Sequence, residues 1–232
     1  TRRSSDVLLD AWRAASVDKL VFSSTAAVYG DPVYTPIDEA HPCAPINPYG
    51  WSKLMAERSI AEYCRAHGLR AVALRYFNAA GADADGEIGE AHDPETHLVP
   101  NLVKAALHPD SGPVKIFGDD YPTPDGTCVR DYIHVDDLCE AHLLAIDYLA
   151  RKPGFHALNL GTGNGNSVAE VLAACRAHCA GKPASEIAPR REGDPAVLVA
   201  SNAAALAALG WQPRRSLADC VTSALAWHKG QG

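Results

Sequence analysis

Apolar side chains at 7, 8, 9, 11, 12, 14 and 15 keep helical spacing and predict a helix over residues 5–15. Residues 19–24, centred on Leu20, Val21 and Phe22, read as a short buried strand. Pro32, Pro36, Pro42, Pro45 and Pro48 keep residues 31–48 out of helix, because proline lacks the amide donor and clashes with the preceding turn. Pro48 itself suits the first turn of a helix. That helix is expected to run to about residue 67 and to stop at Gly68, which tolerates the left-handed backbone of a C-terminal cap. Residues 70–76 are strand-like. Helix, strand, helix, strand is the rhythm of a parallel sheet covered by helices.

After Tyr76 the pattern loosens. Residues 78–97 and 118–130 are expected to be long loops, the kind that carry function in compact domains. Helices are predicted at 97–108, 135–150, 168–180, 202–209 and 216–229, and strands at 114–117, 155–160 and 186–189. Asp136 and Asp137 fall in the first turn of their helix, where carboxylates complement the dipole. The expected division is residues 1–77 as one part and 78–232 mainly as a mixed lobe, with about 135–160 returning to the sheet.

Composition narrows the classes. The chain has 232 residues, 47% hydrophobic and 21% charged, as in a soluble globular protein. A net charge of −7 with no dominant Lys/Arg cluster argues against nucleic acid as a partner, yet permits a local basic pocket for a phosphorylated small molecule. No apolar run approaches the length of a membrane span, and no signal peptide opens the chain. The seven scattered cysteines lack a C-x-x-C pair and read as reduced thiols of a cytoplasmic protein, with no metal site expected. The first residue is Thr, so the sequence is expected to enter a longer protein already under way.

Candidate chemistry centres on Tyr49 and Lys53. In a helix from Pro48 they stand one turn apart on one face. An ammonium beside a phenol favours the phenolate, a plausible general base for a sugar hydroxyl. Alone, that spacing is a weak signal and reads first as a surface pair. Gly161-Thr-Gly163-Asn-Gly165-Asn-Ser167 lies between a strand and a helix, the position of a dinucleotide fingerprint. Asn166 replaces the last required glycine, so the better reading is a turn, with Ser167 and Glu170 forming a capping box.

Three segments carry a resemblance: Phe22 to Gly30, Pro48 to Lys53, and Leu74 to Gly81. Together they resemble the extended short-chain dehydrogenase/reductases. Phe117 to Leu138 and Ala188 to Asp194 sharpen this to the UDP-glucose 4-epimerases (UDP-galactose 4-epimerases). The resemblance implies an α/β fold: a Rossmann-like parallel sheet flanked by helices, its N-terminal strands missing, with a smaller mixed substrate-binding lobe. It implies NAD as cofactor, UDP-glucose and UDP-galactose as substrates, and a homodimer. The dimer would use the outward helices near residues 5–15 and 49–67. Family members open on a glycine-rich turn that cradles the NAD pyrophosphate, which this sequence lacks, so a truncated form is expected.

By that resemblance Tyr49 is the base at the C4 hydroxyl, Lys53 supports it and holds the nicotinamide ribose, and Thr25 hydrogen-bonds the reacting hydroxyl. Thr25 has a plainer alternative role, capping the end of its strand. Phe77 would lie by the nicotinamide. Arg130 and Arg191 would bind the diphosphate, since guanidinium forks match phosphate oxygens. Asn78, His97 and Leu98 would contact the nucleotide sugar, Lys115, Ile116 and Phe117 would border uracil, and Asp194 would accept from ribose hydroxyls. His134 and His142 are expected to be structural. Related dehydratases carry an acidic pair after the threonine; here Ala26 and Ala27 stand there, and neither moves a proton. Leu198 falls where bulk sets sugar range. The alternatives are an epimerase of another UDP-sugar (pentose, uronate or N-acetylhexosamine) and a non-catalytic UDP-sugar-binding remnant.

Overall fold

A computed structural model describes residues 4–231. Helix α1 (Ser4–Ala14) leads into β1 (Lys19–Thr25). A short 3₁₀ turn, Ala26–Val28, follows. Helix α2 (Pro48–His67) starts with proline in its first turn and ends at Gly68 with φ 67°, so both chain signals act as expected. Next come β2 (Arg70–Tyr76) and β3 (Asn78–Ala80). Then follow α3 (Leu98–Leu107), β4 (Val114–Phe117), β5 (Val129–Arg130), β6 (Tyr132–His134) and α4 (Val135–Arg151). The chain continues through β7 (Gly154–Leu160), β8 (Asn166–Ser167), α5 (Val168–His178), β9 (Ser185–Ala188) and β10 (Val197–Leu198). Helices α6 (Ala203–Leu209) and α7 (Leu217–Gly230) close it.

The main sheet is parallel, in the order β1-β2-β7. Central β2 buries Ala71 to Arg75 without interruption, as a strand covered on both faces must. One core lies between this sheet and α4 and includes Leu74, Ile133, Leu149, Leu160 and Trp211. A second joins α3, α5 and α7 through Leu102, Val103, Cys175 and Val221. Small ladders, β3-β6, β4-β9 and β10-β5-β8, stitch the later half together. Among them only β4 and β9 coincide with expected strands. The others are two or three residues long and lie inside, or beside, segments expected as loops.

Candidate active site

β1 ends at Thr25 and α2 begins at Pro48, just before Tyr49, so strand end and helix start line one recess. Asn47 caps α2, its side chain accepting from the Gly50 amide at 2.8 Å. Gly50 then lets the helix lie against the turn after Thr25: a Cβ there would meet the Ala27 carbonyl oxygen at 2.4 Å. Gly50→Ala must push α2 off that turn. It should cost about 1–3 kcal/mol by urea unfolding, the usual scale of overpacking, and should displace Tyr49 from Thr25.

Lys53 Nζ donates to the Ser23 carbonyl at 2.9 Å and stands 5.8 Å from the Tyr49 ring centroid and 5.2 Å from that of Phe22. Two of its three N–H groups remain available beyond that bond. Tyr49 is 56% exposed. Thr25 Oγ1 accepts from the Ala27 amide at 3.2 Å, so the capping role is present. A hydroxyl with one acceptor site used still has its proton and a lone pair to offer.

Three recesses adjoin here. One, of about 230 Å³, holds Thr25, Tyr49, Tyr76, Phe77, Asn78, His97 and Leu98 on its wall. A second, also about 230 Å³, shares Thr25, Phe77 and Asn78 and adds Arg130, Asp194 and Leu198. The largest, about 730 Å³, shares Asn78, His97, Leu98, Arg130 and Asp194 and adds Lys104, Lys115, Phe117 and Arg191. Four cations face two carboxylates, Glu95 and Asp194, on that wall, in a chain of net charge −7. A volume of this order suits a nucleotide-sized ligand.

Ile116 is a correction. It is 4% exposed and does not line the recess, whereas Lys115 and Phe117 do. Successive side chains alternate across a strand, so β4 presents one set and buries the other. Arg191 stacks over Phe117, 3.9 Å from guanidinium carbon to ring centroid. Arg130 and Asp194 are paired with each other, and Arg130 also donates to the Val129 carbonyl at 2.7 Å. Arg130 is buried, so this is no surface pair.

Sequence reasoning missed several wall residues. Asn101 and Lys104 follow His97 at i+4 and i+7 on the apolar helix α3, a polar stripe that would have revealed them. Tyr76 sits at the end of β2, its hydroxyl 3.0 Å from Ser23 Oγ and bonded to His142 Nε2. Burial raises its pKa, so the phenol stays protonated. His134 is structural as expected: its Nδ1 caps α4 and its Nε2 meets Ser223 Oγ at 2.9 Å. His142 has structural contacts too: its Nδ1 meets the Leu138 carbonyl at 2.8 Å and its Nε2 the Tyr76 hydroxyl.

Beneath the recess lies a buried polar network. Arg75 donates to both oxygens of Glu57, at 3.0 and 2.6 Å, and Ser24 Oγ donates to Glu57 Oε1 at 2.5 Å. Arg75 also donates to the Tyr29 hydroxyl at 2.9 Å, which in turn donates to Asn159 Oδ1 at 2.7 Å. Burial pushes the Tyr29 phenol up to about 12 despite the nearby guanidinium. Burial alone would lower the Arg75 pKa; the hydrogen bonds and charge of Glu57 raise it instead. The network ties α2 to β1, β2 and β7, and so fixes where Tyr49 and Lys53 stand.

The turn at 161–165 is a structural turn. The Asp131 carboxylate accepts from the amides of Thr162, Gly163 and Ala200, at 2.7, 3.0 and 3.1 Å. A Cβ at Gly161 would meet that carboxylate at 2.6 Å, and one at Gly165 would meet Val129 at 2.3 Å. The Thr162 and Gly163 amides are therefore taken by a carboxylate, and Gly161 and Gly165 are packed, which disfavours a pyrophosphate at this turn. The capping box is present: Ser167 Oγ accepts from the Glu170 amide at 3.0 Å and the Glu170 carboxylate from the Ser167 amide at 2.8 Å.

A family model described as the NAD dependent epimerase/dehydratase family matches residues 2–161. The chain belongs to that family. A UDP-glucose 4-epimerase of Rhizobium meliloti (strain 1021) is 53% identical over 222 residues, covering 95% of this chain and 67% of the relative. The crystal structure of UDP-glucose 4-epimerase from Bifidobacterium longum in complex with NAD+ and UDP superposes with a TM-score of 0.92 at 40% identity, covering 98% of this chain and 68% of that one. The UDP-Glc/GlcNAc 4-epimerase of Campylobacter jejuni gives a TM-score of 0.81 at 40% identity, over 97% of this chain and 69% of that one. The chain thus spans about two-thirds of the length of these epimerase/dehydratase relatives.

Proposed function

We propose that the protein is an NAD-dependent epimerase that interconverts UDP-glucose and UDP-galactose at C4 of the hexose. The observation that carries this reading is the joining of two sites: a recess with Thr25 and Tyr49 opens into a larger one with four cations. Tyr49 takes the proton from the C4 hydroxyl and later returns it. Thr25 orients that hydroxyl, using the hydroxyl capacity its capping bond leaves free. Arg130 and Arg191 receive the diphosphate, Asp194 holds Arg130 and accepts from the ribose hydroxyls, and Lys115 and Phe117 flank the uracil. Asn78, His97 and Leu98 lie where the recesses meet and contact the phosphate-linked sugar. Ala26 and Ala27 line the neighbouring recess and move no proton, which favours epimerisation over dehydration.

The residues fit the nicotinamide end of NAD. Lys53, fixed by Ser23, keeps two donors for the vicinal ribose hydroxyls, and Phe77 offers an apolar wall. The pyrophosphate finds no cradle among the described residues, since the one glycine turn placed for it is filled by Asp131. When bound, NAD accepts the C4 hydride and returns it to the opposite face. Calorimetric titration with UDP tests the nucleotide half: micromolar binding is expected, weakened at least tenfold in Arg191→Ala, and no heat of binding would sink it.

Leu198 lines the recess shared by Thr25 and Asp194 and is smaller than tyrosine, which leaves room for an N-acetyl group. Leu198→Tyr should lower kcat/KM for UDP-N-acetylglucosamine about 10-fold or more relative to UDP-glucose, in the range one bulky contact in a pocket commands. Equal effects on both sugars would contradict that placement. Exposed Val7 and Leu8 on α1, with Trp51 and Met55 on α2, support a two-fold dimer through these helices. The part up to residue 77 belongs to the sheet that serves NAD, and the rest mainly to the UDP-sugar lobe. The unbridged cysteines support a cytoplasmic setting, and no helix among the described residues is long and apolar enough to cross a membrane.

A further inference from the structure

The loop before α3 gathers four metal-ligating side chains. Glu90, His92, Glu95 and His97 each bring one donor atom to within 4.8 Å of the others. His92 Nδ1 lies 2.9 Å from Glu90 Oε1 and 3.8 Å from Glu95 Oε1. His97 Nδ1 contacts the same Glu90 oxygen and lies 3.9 Å from Glu95 Oε1. The two rings meet edge to face, centroids 5.3 Å apart, so their nitrogens converge on the carboxylates without stacking.

Glu95 adds an independent sign. Its side chain is only 5% exposed, and its buried Oε2 takes no hydrogen bond. Lys104 Nζ stands 3.6 Å from that oxygen. Glu95 Oε1 accepts from the amides of Thr96 and His97, at 2.8 and 2.9 Å, which fixes the carboxylate in the cluster. Trp227 Nε1 donates to the Glu90 carbonyl at 3.2 Å and anchors the other end of the loop to α7. The Glu95 carboxylate is therefore positioned by backbone contacts before any ion arrives, while the exposed imidazoles leave an entry path.

We propose that Glu90, His92, Glu95 and His97 bind a divalent transition-metal ion of the zinc class. Two imidazole nitrogens with two carboxylate oxygens suit zinc and its neighbours; magnesium and calcium prefer oxygen alone. The ion pins the loop to the wall of the large recess, which Glu95 and His97 both line. Coordination through Nδ1 also fixes the tautomer of His97, leaving its Nε2–H as a donor. His97 is the one ligand shared with the sugar site proposed above, and metal binding does not rest on that reading.

The test is zinc binding by the purified protein, first stripped with a chelator, measured in competition with a chromogenic zinc indicator. One equivalent is expected. His92→Ala should weaken it by more than about 100-fold, beyond the ~10–100-fold typical of outer-shell partners. His92 is exposed and outside the catalytic set, so the variant should keep its metal-free melting temperature. X-ray absorption of the zinc form should find only nitrogen and oxygen scatterers, near 2.0–2.2 Å. Sulfur scatterers near 2.3 Å would assign the ion to cysteines, and equal zinc affinity in wild type and His92→Ala would equally overturn the proposal.

Discussion

Tyr49→Phe is expected to lower the turnover of UDP-galactose about 10²–10⁴-fold, the usual worth of a positioned general base. The phenol ring, which stacks near Lys53, is kept; only the hydroxyl is lost. Because Tyr49 is largely exposed, its fold contribution is small, and the melting temperature should hold. UDP binding should hold as well, since the diphosphate cations lie in the adjoining recess. Steady-state kinetics beside UDP calorimetry separates the two halves of the site. A variant that retains activity within a few-fold would remove Tyr49 from the chemistry.

The second large effect belongs to the network beneath. Glu57→Ala leaves the Arg75 guanidinium buried without its carboxylate and takes away the acceptor of Ser24. Breaking a buried pair from one side costs about 3–5 kcal/mol, because a charge stays buried and unpaired. For a domain of this size that is a fall of roughly 6–20 °C in melting temperature. Replacing both members with apolar residues of similar volume, Glu57→Leu with Arg75→Met, should recover much of the loss, since removing a buried pair whole is often neutral. Tyr29, left without its guanidinium donor, would limit that recovery. Urea unfolding of the single and double variants decides the matter. A single variant within 1 kcal/mol of wild type, or a double variant no better than the single, would show that the pair does not hold α2 in place.

These two predictions differ in how far the sequence alone supported them. The places of Tyr49, Lys53 and Thr25, at the start of α2 and the end of β1, were legible because proline at the start of α2, glycine at its end and a compact β1-α2-β2 unit are local signals, whereas their roles came from the resemblance. The cation-lined wall was legible through the resemblance across residues 117–138 and 188–194. Glu57 was not, because a carboxylate within a polar-looking helix reads as a solvated face until Arg75 is seen opposite. Strands such as β3 and β6 escaped because two or three residues carry no periodicity, and their partners are far apart in the chain. Ile116 was placed in the pocket by a contiguous motif, whereas the strand's alternation turns it inward. The Glu90–His97 cluster depends on loop folding that no spacing rule announces.

The most direct test of the proposed epimerase is conversion itself. Purified protein, with NAD present, is given UDP-galactose carrying deuterium at C4, and the UDP-hexoses are resolved over time. The expected result is UDP-glucose that retains deuterium at C4, because hydride removed from the sugar returns to the same carbon. UDP bound at the cation-lined recess with no UDP-glucose formed, or product in which the label has been lost to solvent, would contradict it.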